Sequence, residues 1–190
     1  DFGVSYEELE PFFDYAEKVF GTSGQAWTVK GQLVGEGKGG NPYAPDRSNH
    51  FPLESQKNTV SAQLFQKAAT AVGYKPYNLP SANTSGPYTN PYGAQMGPCN
   101  FCGFCSGYVC YMYSKASPNV NILPALKPLP NFELRPNSHV LRVNLDSTKS
   151  KATGVTYIDG QGREIEQPAD LVILGAFQFH NLRLMLLFGS

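Results

Sequence analysis

All four cysteines of the chain lie within one stretch of twelve residues, at Cys99, Cys102, Cys105 and Cys110. Their spacing is C-x2-C-x2-C-x4-C, and the residues between them include two glycines and a serine, which permit tight turns. Thiolates separated by such short turns can point at one centre, as they do where ferredoxin-like segments hold an iron–sulfur cluster. The spacing therefore favours a cluster, either 4Fe-4S on all four cysteines or 3Fe-4S on three.

Three other interpretations of the cysteines remain open. A structural zinc site usually has two C-x2-C pairs separated by a longer loop, and here the third cysteine follows the second too soon. Two disulfides would suit an exported protein, although bonds between such close neighbours constrain little of the unfolded chain. Free thiols packed in the core are the third possibility. With zinc or disulfides, the chain would be a stapled binding module without catalytic activity.

Other residues that could carry chemistry are few. His50, His139 and His180 lie far apart in different contexts, and isolated histidines are more often structural than catalytic. The glycine-rich stretch 35–40 is not a phosphate-binding loop, because it lacks the terminal GK[ST] and no strand precedes it. No G-x-G-x-x-G fingerprint follows a predicted strand in the sequence, as dinucleotide binding requires. We therefore assign no catalytic residue to this chain.

The composition and charge of the chain argue against some classes of protein. The 190 residues carry 15 basic and 15 acidic side chains, and the basic ones are dispersed, which argues against a nucleic-acid-binding protein. No run of 18 apolar residues exists, so we expect no transmembrane helix. Nineteen glycines, fifteen prolines and an aromatic content of 13% indicate large, packed loops. Both ends of the chain look cut, which predicts an internal fragment of a larger protein.

Helical periodicity predicts three helices, near Tyr6–Phe20, 59–72 and 177–187. The first has a capping box formed by Ser5 and Glu8 and a terminating glycine at Gly21. Pro11 lies inside it and predicts a kink or a later start. Long irregular loops are expected at 21–58 and 74–136, and the prolines that begin with Pro118 predict an extended, non-helical connector.

The last third of the chain changes character. Alternating apolar and polar residues and a D-G-Q-G turn predict an antiparallel β-meander near 132–167. The apolar run 171–174 predicts a strand buried on both faces, as in a parallel sheet, followed by a turn and a helix. Because its parallel neighbours would lie outside the chain, we expect exposed apolar surface there. The fold class is therefore α+β.

Two blocks of sequence resemble the glucose–methanol–choline (GMC) oxidoreductases. Residues 5–17 with 21–24 are similar to the family's "SY-x-x-L-x-P-YY-x-x-AE … G-x-SG" block, and 169–176 with 181–187 resemble its second signature. The second block departs from the family at 179–181, where a Ser/Thr-Pro pair is usual. Stretches 39–43, 98–110 and 117–134 most resemble the membrane-bound dehydrogenases of this family that act on gluconate, other sugar acids, sugars and polyols.

This resemblance implies a partial GMC fold, with 1–130 forming the substrate-side or cap region and 131–190 part of the FAD-binding domain. It implies a periplasmic dehydrogenase in which FAD accepts a hydride from a CH–OH group, with gluconate the favoured substrate. Electrons would then leave through an iron–sulfur cluster to a cytochrome c subunit, in a membrane-associated complex that also contains a small subunit. Val140, Gly175 and Ala176 occupy positions that contact FAD in the family. The flavin fingerprint and the catalytic histidine pair would lie outside this chain, which predicts a fragment that is inactive alone.

Overall fold

The computed structural model describes residues 3–187. They divide into two compact units, the first ending at Phe132 and the second beginning at Glu133. Helices and small antiparallel sheets occur together in the chain, so the predicted α+β class is confirmed. The functional roles predicted for residues 1–130 and 131–190 stay predictions. Within the described residues, no helix combines the length and apolar character needed to cross a bilayer.

Helix α1 spans Tyr6–Phe20, as predicted from its periodicity. The amide of Glu8 donates to Ser5 Oγ (3.3 Å), and the amide of Ser5 donates to Glu8 Oε2 (2.7 Å), which completes the capping box. Gly21 ends the helix in the left-handed region, at φ +63°. The helix continues through Pro11.

The helices of the first unit leave much of their apolar surface exposed. On α1 the buried residues include Glu10 and Asp14, whereas Phe12 is 71% exposed. Helix α2 (Val60–Ala71) buries no residue, and Phe65 on it is 69% exposed. A helix normally buries its apolar stripe against a neighbouring element. Much of the apolar surface of these two helices is therefore not covered by other described residues.

Between the helices, long loops are held by hydrogen bonds around a polar interior. The short hairpins β1 (Thr28–Val29) with β2 (Gln32–Leu33), and β3 (Tyr88–Thr89) with β4 (Gln95–Met96), are the strands of this unit. Ser23, Thr84, Ser114 and Asn121 are almost completely buried. Buried polar groups need partners, and the hydroxyl groups of Ser23, Thr84 and Ser114 donate to backbone carbonyl oxygens of neighbouring loops.

The connector after the cysteines is partly helical, so the prediction of an extended, non-helical segment was wrong. Single-turn helices α3 (Pro118–Asn121) and α4 (Leu123–Leu126) form there. Each has a proline in its first two positions. Proline is accepted at these positions because the first-turn amides have no intrahelical acceptor, and its fixed φ suits the helix.

The second unit contains the predicted meander and final helix. Strands β5 (His139–Leu145), β6 (Ala152–Ile158) and β7 (Glu164–Pro168) pair antiparallel in that order, and α5 spans Gln178–Leu186. The predicted strand at 171–174 does not form. A strand needs a hydrogen-bonded neighbour, and none is available to this segment in the described chain. The predicted exposed apolar surface is confirmed, since Leu171 and Ile173 are 74% and 83% exposed.

Candidate functional site: the cysteine segment

The cysteine segment, residues 99–110, lies in the first unit as an irregular loop between β4 and α3. All four thiols are free; Cys105 is exposed, and Cys99, Cys102 and Cys110 are half-buried. Among residues 3–187, no group of three or more Cys, His, Asp or Glu side chains is gathered closely enough to hold a metal ion. In this arrangement the thiols do not share one centre, and their role as metal ligands stays a prediction.

The segment makes sharp turns and displays its aromatic side chains. Gly103 and Gly107 have φ values of +80° and +77°, and Phe101 adopts φ +55°. Glycine reaches this region without steric cost, which explains two of the three turns. Phe104 and Tyr108 pack edge to face with centroids 6.4 Å apart, although both rings remain more than 60% exposed. The segment is therefore turned but not sealed from solvent.

The base of the segment is tied to Thr84, which is completely buried. Thr84 Oγ1 donates to the carbonyl oxygen of Gly97 (2.6 Å), and the amide of Cys99 donates to the carbonyl oxygen of Thr84 (2.9 Å). On the other side, the amide of Thr84 donates to the carbonyl oxygen of Ser114 (3.1 Å), and Ser114 Oγ donates to the carbonyl oxygen of Thr84 (3.1 Å). One residue thus binds both ends of the loop.

Cys110 lies where an anionic sulfur is favoured. Burial by itself raises the pKa of its thiol, but this is outweighed by the backbone amides of Lys115, Ser114 and Met112 and by the charge of Lys115. The pKa of Cys110 is therefore below its ordinary value. Thiolates are the form of cysteine that binds metals and attacks electrophiles. Cys110 is one of the four predicted ligands, and its surroundings favour the thiolate.

Lys115 also stabilises the segment through two hydrogen bonds. Its Nζ donates to the carbonyl oxygens of Cys105 (2.6 Å) and Tyr108 (3.2 Å). Charge-assisted hydrogen bonds to carbonyl groups are stronger than neutral ones, so a single ammonium fixes two turns of the loop. Sequence analysis missed the roles of Lys115, Thr84 and Ser114, because lysine, threonine and serine in loops carry no periodic signal.

The three residues predicted to contact FAD lie in the second unit. Val140 is in β5 opposite Tyr157 and is half-buried, next to an irregularity in the pairing. Gly175 and Ala176 are exposed in the turn before α5, and an added Cβ at Gly175 would meet no atom within 4 Å. Their contact with FAD stays a prediction.

Asn181 holds the turn that contains Gly175 and Ala176. Its Oδ1 accepts from the amide of Ala176 (2.9 Å), and its Nδ2 donates to the carbonyl oxygen of Leu174 (3.2 Å). The side chain thus supplies partners to backbone groups that precede the helix and ties the turn to α5. Asn181 belongs to the stretch that departs from the GMC signature, and its side chain has a structural use there.

Comparison with curated proteins gives two relatives, and no family model matches the chain. The chain is 76% identical to the "Gluconate 2-dehydrogenase flavoprotein" of Pantoea cypripedii over 189 residues, which covers all of this chain and 31% of that protein. It is 28% identical to the "Paromamine 6'-oxidase" of Streptomyces fradiae over 156 residues, covering 82% of this chain and 24% of the relative. The chain thus spans less than a third of either relative.

Proposed function

We propose that this chain is part of an FAD-dependent dehydrogenase of the GMC type that oxidises a CH–OH group of a sugar acid, with gluconate as the first substrate to test. The observation that carries this proposal is the 76% identity to a gluconate 2-dehydrogenase flavoprotein along the whole chain. The weaker similarity to a protein named as an oxidase is consistent with the same broad class, because the names of both relatives describe oxidation.

Within the complete enzyme, the chain would contribute one wall of the flavin site. FAD, when bound, supplies the acceptor for the substrate hydride. Val140 would lie beside the adenine, and the turn at Gly175–Ala176 would approach the dinucleotide, where the absence of neighbours around Gly175 leaves room. The histidine that takes the hydroxyl proton would come from residues outside this chain, so we assign it no catalytic residue.

The second part of the proposal concerns the cysteine segment. We propose that Cys99, Cys102, Cys105 and Cys110 bind a 3Fe-4S or 4Fe-4S cluster in the complete enzyme, which would pass electrons to a cytochrome c subunit. The spacing, the free thiols and the environment of Cys110 support this. As described, the segment does not fit a cluster, because fewer than three ligands meet at one place. The loop would have to close for the cluster to bind.

The remaining parts of the proposal concern location and assembly. We propose a periplasmic enzyme that associates with the membrane through its cytochrome c and small subunits. The alternative is a binding module whose cysteines hold zinc or form disulfides. In the structure no disulfide joins the four cysteines. Metal analysis distinguishes the iron–sulfur enzyme from the zinc-binding module. A cluster protein contains iron and sulfide and absorbs broadly in the visible, whereas a zinc protein is colourless.

The flavin reaction is tested with the full-length protein under anaerobic conditions. Gluconate should bleach the flavin absorbance in a single-turnover experiment, and a protein with bound flavin that gluconate and related sugars fail to reduce would refute the proposal. Cys102→Ser is the matched variant for the second part. It should lose the iron–sulfur signal and transfer electrons to cytochrome more slowly, while flavin reduction continues. Cytochrome reduction at the parental rate would refute the relay.

A further inference from the structure

We propose that Thr84 is the positioning residue of the cysteine segment. It would close the segment at its base and thereby limit the exposure of the thiols of Cys99 and Cys110. This goes beyond the proposed function, because it holds whether the segment binds a cluster, zinc or no metal. We define the neck of the segment as Thr84, Gly97, Cys99 and Ser114, the residues joined by the hydrogen bonds described above.

Every polar group of Thr84 is used in the neck. Its hydroxyl reaches the carbonyl oxygen of Gly97 at 2.6 Å and lies 3.1 Å from Ser114 Oγ. Its amide and carbonyl groups bond Ser114 and Cys99. Thr84 and Ser114 are both 0% exposed, so water cannot replace a partner that is removed. Loss of the hydroxyl would therefore remove the hydrogen bond to the half-buried carbonyl oxygen of Gly97 and the buried contact with Ser114 Oγ.

The two arms of the loop also approach closely at the neck. A Cβ added at Gly97 would lie 2.5 Å from the carbonyl oxygen of Met112, which is closer than non-bonded atoms allow. Glycine is required at position 97 because the two backbone arms of the loop approach closely there. An alanine at position 97 would separate the arms while the Thr84 side chain stays unchanged, so it tests the neck by steric displacement.

The side chain of Thr84 has two parts that can be removed separately. Its methyl group lies against Gly21, where an added Cβ would be 2.8 Å from Thr84 Cγ2, and its hydroxyl faces the neck. Thr84→Val keeps a side chain of similar shape and removes the hydroxyl. Thr84→Ser keeps the hydroxyl and removes the methyl. The pair therefore distinguishes hydrogen bonding at the neck from apolar packing on α1's terminal glycine.

The experiment measures the alkylation rate of each cysteine by iodoacetamide in the folded full-length protein, with peptide mass spectrometry. Cys105 is already exposed and serves as the internal reference. In Thr84→Val we expect Cys99 and Cys110 to react about tenfold faster relative to Cys105, since loss of one buried partner is enough for a change of that size. Gly97→Ala should give the same pattern. Thr84→Ser should stay within about twofold of the parent.

Thr156→Val is the control for general destabilisation. Thr156 is 1% exposed in the meander, and its hydroxyl donates to Asn144 Oδ1 (2.8 Å). Its loss should destabilise the second unit without altering the alkylation of Cys99 or Cys110. If Thr84→Val does not fold, Ser114→Ala removes the two bonds of Ser114 Oγ but keeps the bond from Thr84 to Gly97, and it should still raise both rates severalfold.

Three results would overturn the inference: unchanged rates in Thr84→Val and Gly97→Ala, equal acceleration by Thr156→Val, or acceleration by Thr84→Ser as large as that by Thr84→Val. Iron and zinc are measured on the same samples, because a bound metal would slow every ligating cysteine, Cys105 included. The proposed function is tested separately by flavin reduction with gluconate. Its failure would leave the pattern of alkylation rates unaffected.

Discussion

Arg47 makes a partly buried ion pair that should fix the loop after β2 to helix α1. Its Nη1 donates to Glu17 Oε1 at 3.1 Å, its Nη2 pairs with Glu17 Oε2, and its Nε donates to the carbonyl oxygen of Asn49 at 3.2 Å. The guanidinium carbon lies 3.9 Å from the centre of the Phe51 ring. The exposed fractions of the Arg47 and Glu17 side chains are 11% and 20%.

Arg47→Met should lower the free energy of local opening by about 3 kcal/mol. Breaking a buried pair by removing one partner costs about 3–5 kcal/mol, and the partial exposure of Glu17 places this pair at the lower end. The lost cation–π contact adds about 1 kcal/mol, which the apolar methionine partly replaces. Such a change corresponds to roughly a hundredfold faster hydrogen exchange. The amides to follow are Lys30, which donates to the carbonyl oxygen of Arg47, and Ser48, which donates to Glu10.

A double-mutant cycle identifies the pair as the cause. Arg47→Met with Glu17→Met should cost less than the sum of the single changes, with a coupling energy of about 2 kcal/mol. Arg142→Met is the control, because Arg142 pairs with Glu164 at 3.7 Å and the two side chains are 45% and 60% exposed. That change should cost no more than about 0.5 kcal/mol. A coupling energy below about 0.5 kcal/mol for Arg47 and Glu17 would refute the reasoning.

Three further predictions concern local stability. Ser5→Ala should lower the stability of α1 by about 1 kcal/mol in hydrogen exchange, since it removes the capping acceptor, and an unchanged first turn would contradict that role. The pKa of Asp159 is lowered by hydrogen bonds from Arg163, first from its backbone amide and then from its guanidinium. The stability that the Asp159 carboxylate adds to its turn is therefore present at neutral pH and is lost as the pH falls below about 4. Asp159→Asn should abolish that acid dependence of amide exchange in the turn; if it persists, another group is responsible. In urea unfolding of the 190-residue chain, Leu184→Ala should lower the free energy of unfolding by about 2–4 kcal/mol, because Leu184 is 4% exposed. Ile173→Ala should lower it by less than about 0.5 kcal/mol, because Ile173 is exposed. Equal losses would mean that the segment containing Ile173 is packed.

The elements with local signals were predictable from the sequence. Helix α1 has the predicted bounds because its capping box and terminal glycine act within a few residues of the helix ends. The meander follows from period-two alternation and an aspartate–glycine turn, which are also local. The α+β class needed nothing beyond these patterns.

Features that depend on distant partners were decided by the tertiary structure. The apolar run 171–174 has the composition of a buried strand, yet it forms none here, because pairing needs a neighbour that local composition cannot supply. On α1, Glu10 is buried because the amide and hydroxyl of Ser48, 38 residues away in the chain, donate to its carboxylate.

For the cysteine segment, the sequence determined the thiols and their spacing. The structure determined that they do not share one centre and that Thr84, fourteen or more residues before them in the chain, ties the base of their loop. The groups that stabilise a loop come near it only after the chain has folded. The partner of a hydroxyl group cannot be identified from a sequence pattern. That is the physical reason why the cysteines were predictable and the residues that position them were not.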